Sequence, residues 1–198
     1  ETLQVIPLYP QYSISTTRTT FTVVTQMLSR MGSVPSLLFQ ARYFNHPAYI
    51  QALADSVRTY WETHGRADKL IFSFHGIPVS AVQAGDSYVQ ECTQTVQLLA
   101  EALKLSPAEY AIAFQSRFGK AKWVEPYLAD VLKRSIREGA LNIQVMCPGF
   151  AVDCLETLEE IALETRELFK QWGGQTLEYI PCLNASAGQV EMLEKMVR

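Results

Sequence analysis

Short apolar runs alternate with longer helical patterns along the chain, and this alternation limits the possible folds more than any other feature. The predicted strands are Leu3–Leu8, Val34–Phe39, Lys69–His75, Tyr110–Gln115, Asn142–Cys147 and Thr176–Pro181. Helices are predicted between them over 15–31, 47–63, 88–105, 125–138 and 153–172, and a last one over 186–197. Connections of this length favour parallel strands with helices on both faces. The sequence therefore predicts an α/β fold, a three-layer Rossmann-type domain whose mainly parallel sheet is flanked by helices.

Composition indicates a globular chain and excludes several functional classes. The 198 residues are 48% hydrophobic and 19% charged, which fits one domain or two small ones. A net charge of −3 without a Lys/Arg block argues against a nucleic-acid partner. No apolar run approaches the roughly 20 residues of a spanning helix, and no signal peptide opens the chain. We therefore predict no transmembrane segment and a cytoplasmic location, with peripheral association at a membrane left open.

The cysteines predict a reducing compartment rather than a metal cage. The chain has four of them and no C-x-x-C pair. They are Cys92, Cys147, Cys154 and Cys182. Cys147 and Cys182 end apolar runs, where a thiol commonly acts as a small buried hydrophobe.

Ligands of parallel α/β folds bind at the carboxyl ends of the strands. Here those positions are 9–12, His75, 115–117 and 147–150. No G-x-G-x-x-G follows the first strand, and no G-x-x-x-x-G-K-[ST] is present. The sequence therefore predicts a site at this edge of the sheet without predicting a nucleotide.

His75 is the histidine with the most distinctive position. It ends the most apolar predicted strand, KLIFSFH, and precedes Gly76 and Pro78. It is either a hydrogen-bonded histidine at the edge of the core, or an exposed strand-tip histidine that binds a metal such as Fe(II) or exchanges protons. His46 and His64 occupy loop and helix-end positions typical of capping or surface residues.

Three glutamates spaced by four, Glu156, Glu160 and Glu164, form one ridge on the helix predicted after Cys147. The ridge could lead a divalent cation into a site, although each like-charge neighbour costs roughly 0.2–0.5 kcal/mol. It could also be a solvent-facing surface, with Asp153 and Glu156 forming a capping box. In that interpretation the opposite side faces the core, through Leu155, Leu158, Ala162 and Phe169.

The loop after the fourth predicted strand is rich in cations. Arg117, Lys120 and Lys122 are followed by Trp123. The loop is either a solvated surface or a site where cations bind ligand carboxylates and an indole face lies against a flat apolar ring system.

Five motifs in register resemble the ferrochelatase family over essentially all 198 residues. They are LYPQYS at 8–13, FSFHGIP at 72–78, GDSY at 85–88, QSRFG at 115–119 with Trp123, and CPGF at 147–150 with DCLETL at 153–158. Each motif is short, but their common order and spacing make the resemblance specific. It implies two similar Rossmann-like halves, a chelatase-like fold, with a porphyrin cleft between them.

The resemblance implies a lyase that inserts Fe(II) into protoporphyrin IX, the last step of haem biosynthesis. His75 and Glu156 match the catalytic pair at the metal site, and Glu160 and Glu164 continue from it as a metal route. The residues expected to contact the porphyrin are Tyr12, Gln115, Ser116, Arg117 and Trp123. The alternatives are a cobalt- or nickel-inserting chelatase, and a non-catalytic module that binds a tetrapyrrole or a metal.

The chain departs from the family pattern in several places. Ser87 replaces the proline of GDPY, and Arg18 stands where the family has TTGS. Ile14 occupies the position of a cluster-ligating cysteine, so no [2Fe-2S] cluster and no permanent cofactor is expected. The first half of the family pattern is missing. We therefore expect the chain to be the C-terminal half of a bacterial-type enzyme, with 1–12 and 184–198 packing toward an N-terminal half.

Overall fold

Six parallel strands alternate with helices over residues 1–197, the part of the chain that the computed structural model describes. The strands are β1 (Thr2–Val5), β2 (Ser36–Phe39), β3 (Lys69–His75), β4 (Tyr110–Gln115), β5 (Asn142–Met146) and β6 (Thr176–Ile180). The helices are α1 (Thr19–Leu28), α2 (Pro47–His64), α3 (Val79–Gln83), α4 (Tyr88–Leu103), α5 (Leu128–Arg137), α6 (Leu155–Leu158), α7 (Arg166–Gln171) and α8 (Ala187–Val197). Two π-helical segments cover Ile14–Arg18 and Glu160–Thr165. The predicted α/β class is confirmed.

The strands divide into two parallel sheets, whereas the sequence predicts one. The larger sheet has the order β4-β3-β5-β6, and β1 pairs with β2 in a separate two-stranded sheet. In the larger sheet His75 is the register partner of Gln115. Hydrophobic pattern specifies where strands lie but not which strands pair, and this explains the difference.

Strand β3 lies between β4 and β5 and is buried on both faces. Its alternate residues point to opposite sides of the sheet, because side chains alternate along a strand. Leu70, Phe72 and Phe74 belong to a core packed under α2, α4 and α8, whereas Ile71 belongs to a second core. That second core lies under α5 and the helical segment after β5 and includes Leu132, Ile161 and Phe169. Helices therefore cover both faces, giving the predicted three layers.

The region after β5 is the largest departure in secondary structure. The sequence predicts one helix over 153–172, but α6, a π-helical segment and α7 follow one another there. A π-helical segment widens the turn, so side chains do not follow the angles of a regular α-helix. The first predicted strand is also shorter than expected, since it ends at Val5, two residues before Pro7, which cannot donate to a ladder.

The two ends of the described chain meet. The amide nitrogen of Gln4 donates to the carbonyl of Met196 at 3.0 Å, and α8 packs against α2. Arg198, part of the segment expected to face another half, lies outside the described residues. Within 1–197 no helix is both long enough and apolar enough to cross a membrane.

Candidate functional site

His75 ends β3 at the edge of the sheet, and Gly76 fixes how the chain leaves it. The preceding residues Leu70–Phe74 are buried, and His75 itself is half-buried. A Cβ on Gly76 would lie 3.1 Å from the carbonyl oxygen of Gln115 and 3.2 Å from Cε3 of Trp123. Only a residue without a side chain turns past β4 without displacing these neighbours. The backbone therefore holds His75 in place.

A hydrogen bond fixes the tautomer of neutral His75. Nδ1 lies 2.7 Å from the carbonyl oxygen of Gly76. A carbonyl can only accept, so Nδ1 carries the proton, and Nε2 of the neutral ring presents a lone pair. His75 is thus hydrogen-bonded at the edge of the core, and its Nε2 is still able to accept a proton or bind a metal. The two interpretations left open by the sequence are therefore compatible with each other.

The capping box before Glu156 involves different residues from those predicted. Cys154, not Asp153, is the N-cap of α6. Its backbone N–H donates to Oγ1 of Thr157 at 2.9 Å, and its side chain accepts from the backbone of Thr157. The prediction that Asp153 and Glu156 form the box is wrong, because Asp153 is committed elsewhere. Glu156 is consequently free of a capping role.

Asp153 connects the loop after β5 to the loop after β6. Its Oδ1 accepts from the hydroxyl of Tyr179 at 2.6 Å and the N–H of Cys182 at 3.1 Å, and its Oδ2 accepts from the amide of Asn184 at 2.7 Å. Burial raises the pKa of Asp153, but these hydrogen bonds outweigh it and the pKa is lowered. The ionised carboxylate anchors the start of α6.

Glu156 is a half-buried carboxylate that interacts electrostatically with His75. Hydrogen bonds from the Cys154 side chain and from its own backbone N–H lower the pKa of Glu156, and the charge of His75 lowers it further. The interaction requires the two groups to lie within range of each other, although they come from different strand ends. Glu156 is therefore ionised at neutral pH.

Glu160 bonds to the loop that follows β4. Its Oε1 accepts the backbone N–H of Ser116 at 2.7 Å, and its Oε2 accepts the hydroxyl of Ser116 at 2.5 Å. Ser116 has a left-handed φ of 62°, a conformation that costs free energy for a residue with a side chain. Glu164 is exposed and borders the same open groove as Glu156 and Glu160. Glu160 and Glu164 therefore have different surroundings despite their regular spacing.

The predicted core face of this helical region is wrong in part. Leu155 is 72% exposed and Leu158 is 49% exposed, whereas Phe169 is fully buried as predicted. The buried positions before Phe169 are Thr157, Ile161 and Thr165. These buried positions are spaced by four, so the side of the region that carries them faces the core, and Leu155 and Leu158 do not lie on that side.

Gln115 is a buried connector among three elements. Its amide nitrogen donates to the carbonyl of Glu156 at 2.6 Å, and its amide oxygen accepts from Ser73 at 2.6 Å and from the Cys147 thiol at 3.4 Å. At 4% exposure it has little surface to offer a ligand. Its observed contacts instead hold the tips of β3 and β5 against α6.

The loop after Ser116 presents a cation and a phenyl ring rather than an indole. Arg117 is exposed, with its guanidinium 4.6 Å from the centre of the Tyr127 ring. Trp123 is 5% exposed and donates its ring N–H to the carbonyl of Phe118 at 2.9 Å. Phe118 itself is 69% exposed. The sequence predicted that Trp123 could offer an open indole face to a ligand. In the structure its ring is buried instead, because it packs beneath the turn at Gly76.

Tyr12 lies outside the cavity that contains His75. Its backbone N–H donates to Glu91 at 2.7 Å, and the guanidinium of Arg42 lies 5.0 Å from its ring centre. Tyr9, three residues earlier in the same motif, does line the cavity. Tyr9 and Tyr88, rather than Tyr12, therefore share this cavity with His75.

The predicted metal ligands are not gathered into one cage. Within the described part of the chain, no three or more His, Cys, Asp or Glu side chains are arranged to hold a metal ion. His75 bonds to the carbonyl of Gly76, Glu160 is bonded to Ser116, and Glu164 is exposed.

Two residues of the GDSY motif, Asp86 and Ser87, make hydrogen bonds near the site that were not predicted from the sequence. Asp86 accepts hydrogen bonds from the Ser13 hydroxyl and the Ile14 N–H, each at 2.8 Å. Ser87, which replaces the family's proline, donates to Glu91 at 2.7 Å. These residues lie within or near the LYPQYS and GDSY motifs, so the motif match was the signal that could have identified them.

Comparison with known proteins supports the resemblance. The ferrochelatase family model matches residues 1–198. Ferrochelatase 1 of Shewanella oneidensis is 47% identical over 198 residues, which are 100% of this chain and 59% of that protein. The ferrochelatase of Teredinibacter turnerae is 49% identical over 195 residues, covering 98% of this chain and 53% of that protein. The ferrochelatase of Vibrio cholerae is 44% identical over 198 residues, which are 100% of this chain and 62% of that protein.

The chain therefore spans between about half and three fifths of the length of these curated relatives. The match nevertheless runs from its first residue to its last and includes every motif on which the resemblance was based. The chain belongs to the ferrochelatase family.

Proposed function

We propose that this chain carries the metal-site wall of an enzyme that inserts Fe(II) into protoporphyrin IX to form protohaem. The observation that carries the proposal is the position of His75 at the carboxyl edge of a parallel sheet, with Nδ1–H held by the carbonyl of Gly76 and with the ionised Glu156 in α6, which follows the neighbouring strand β5. Family membership supports the choice of a porphyrin and iron as substrates. The product would be haem, and two pyrrole protons would be released.

His75 is the proposed acceptor of the pyrrole protons. Its Nδ1–H is held by the carbonyl of Gly76, so Nε2 is the basic nitrogen. Imidazole is the side chain best suited to exchange protons near neutral pH. Each pyrrole N–H that loses its proton to Nε2 leaves a nitrogen lone pair for the incoming iron.

Glu156 is the proposed transient ligand of the iron. Its lowered pKa keeps the carboxylate ionised, which makes it a weak base and a good oxygen ligand for a hydrated cation. Its negative charge also stabilises the imidazolium formed when His75 takes a proton. The pair would therefore divide the two tasks of the reaction, proton acceptance and metal guidance.

The groove bordered by Glu156, Glu160 and Glu164 is the proposed approach of the iron. Glu164 is exposed and suited to a first contact, whereas Glu160 must also keep its bonds to Ser116. Arg117 and the nearby Phe118 are proposed to contact the propionates and the ring of the porphyrin. Their surfaces are exposed and of the required chemistry.

We propose that four residues act on the porphyrin indirectly. Gln115, Ser116 and Trp123 fix this loop, and Tyr12 holds the loop after β1.

We also propose a protein of two halves, with this chain as the C-terminal half. Apolar side chains exposed on β1, α1 and β2 support it. They are Leu3, Phe21, Val23, Met27 and Leu38. The lack of a cluster and a cytoplasmic location stay predictions from the sequence.

Porphyrin metallation tests the proposal directly. The complete protein that contains this chain would be mixed with protoporphyrin IX and Fe(II) without oxygen, and loss of porphyrin fluorescence would be followed. Changing His75→Ala should lower the rate by at least about 100-fold, as expected for loss of a general base. The matched control is His64→Ala, since His64 is exposed at the end of α2.

Three results would count against the proposal. A complete protein that binds the porphyrin without metallating it would be a tetrapyrrole-binding protein. Preferred insertion of cobalt or nickel would identify a different chelatase. Equal rates for the two histidine variants would remove His75 from the mechanism.

A further inference from the structure

Gln11 places a buried amide oxygen on the wall of the cavity that contains His75. The cavity has a volume of about 170 Å³, and its lining includes Tyr88 and Gly149. Gln11 is 2% exposed, and its Oε1 has no hydrogen-bond partner among the described residues. Buried polar atoms are normally paired, so this atom indicates that the cavity receives a hydrogen-bond donor.

The neighbours of Gln11 fix the orientation of its amide. Its nitrogen donates to Oγ1 of Thr95 at 3.1 Å and to the hydroxyl of Tyr49 at 3.5 Å. Tyr49 donates its one hydrogen to the carbonyl of Pro148 at 2.5 Å, and Thr95 donates its hydrogen to a backbone carbonyl, Glu91 O at 3.0 Å. Both hydroxyls therefore offer only lone pairs to the amide. A flipped amide would place its oxygen against those lone pairs, so Oε1 points away from them.

Gly149 shows where the amide oxygen lies. A Cβ on Gly149 would be 3.5 Å from Oε1 of Gln11 and 3.5 Å from the hydroxyl oxygen of Tyr88. Both polar atoms therefore border the space left open by the missing side chain. A small polar molecule there would have partners on two sides.

His75 also lines this cavity. Its Nδ1–H is bonded to Gly76, so the neutral ring presents Nε2 as a lone pair. Two acceptors cannot bond to each other, and they require a molecule with two donor hydrogens. Water meets this requirement, and a cavity of about 170 Å³ exceeds the roughly 10–15 Å³ that one water needs.

We propose that this cavity is a water site, in which one ordered water donates one hydrogen to Oε1 of Gln11 and the other to Nε2 of His75. Gln11 is then a positioning residue that orients the water. A pyrrole N–H would then give its proton to the oxygen of this water while the water passes its own hydrogen to Nε2, so the molecule remains a neutral water, accepts from the new Nε2–H and keeps its bond to Gln11. The water site rests on contacts within the chain, whereas this role in proton transfer rests on the proposed function.

The site can be tested by crystallography of the complete protein at a resolution that shows ordered water, followed by the Gln11→Met variant. We expect wild-type density within hydrogen-bond distance of both Gln11 Oε1 and His75 Nε2, and no density there in Gln11→Met. The control is Tyr49→Phe, which alters the nitrogen side of the amide but leaves Oε1 in place, so the water should remain. The proposal is overturned if the wild-type site is dry, if Oε1 faces Thr95, or if the water persists in Gln11→Met.

A kinetic measurement tests the proton-transfer role of the water separately from the existence of the water site. With metallation as the readout, Gln11→Met should lower kcat roughly tenfold and leave KM for the porphyrin unchanged, while Tyr49→Phe should keep a larger share of kcat. A purely structural role would lower kcat equally in both variants and would contradict the proton-transfer role. A wild-type protein that does not metallate would refute the proposed function without affecting the crystallographic result.

Discussion

Glu160 bonds to Ser116 through both carboxylate oxygens, with Oε1 2.7 Å from the backbone nitrogen and Oε2 2.5 Å from the hydroxyl. The bonds hold a left-handed residue at the start of the loop that carries Arg117. Their regular spacing predicts the same role for Glu160 and Glu164, but their contacts differ, since Glu160 is bonded to Ser116 and Glu164 is exposed.

Removing the Glu160 side chain should release the loop. We expect Glu160→Ala to raise the rate of trypsin cleavage at Arg117, Lys120 and Lys122 about tenfold, because the two bonds oppose local opening. Mass spectrometry of the fragments identifies these sites against the other exposed cations. Glu160→Gln retains an acceptor for the Ser116 N–H and should be cleaved much more slowly than the alanine variant.

The matched control is Glu164→Gln, because Glu164 is exposed and the hydrogen bonds of Ser116 go to Glu160 instead. Its cleavage rate should equal that of the wild type. Unchanged cleavage in Glu160→Ala would show that Ser116 keeps its conformation without the carboxylate.

Variants of Glu156 and Thr157 should distinguish a role in metallation from a role in helix capping. Because Thr157 forms the capping box, Thr157→Val should lower the free energy of unfolding by about 1 kcal/mol. Glu156→Gln should leave stability nearly unchanged and reduce metallation about 100-fold, because it removes the charge beside His75. Chemical denaturation and the fluorescence assay measure the two effects.

The neighbouring Glu159→Gln provides the control for charge, since Glu159 is exposed on the same groove. Metallation by Glu156→Gln at the rate of Glu159→Gln would exclude a specific role for Glu156 in guiding iron.

The contribution of Asp153 to stability should depend on pH. Its pKa is lowered in the folded chain, so its stabilising effect is present above the pKa of the unfolded state and is lost as the pH falls through the folded-state pKa. Asp153→Asn should therefore cost about 2 kcal/mol at neutral pH. The difference from the wild type should shrink below about pH 4.

Denaturant titrations between neutral and acidic pH measure this difference. Asp130→Asn is the comparison, because Asp130 is an exposed carboxylate on α5 and should change stability by less than about 0.5 kcal/mol. A difference for Asp153→Asn that stays constant into acid would mean that the bonds from Tyr179 and Asn184 do not depend on the charge.

Prediction from sequence succeeded best where a residue's role follows from local pattern. The run from Lys69 to His75 was predicted with the bounds that the structure has, because a continuous apolar segment ended by Gly76 has few alternatives. The helix after β5 was predicted less well. Its leucines suggested a core face, but Leu155 and Leu158 are exposed, and a π-helical segment interrupts the region at Glu160–Thr165. Nothing in a regular periodicity announces such a segment.

The sequence by itself determined the α/β class, the strand-tip location of His75 and membership of the ferrochelatase family. These features depend on the order of residues that are close together in the sequence. Tertiary structure decided which strands pair, why Glu160 differs from Glu164, and why Gln11 presents an unpaired oxygen. These features depend on hydrogen bonds between segments far apart in the chain, such as Glu160 with Ser116 and Gln11 with Thr95. Such bonds form only after the sheet has brought the strand ends together, so no periodicity or spacing can reveal them.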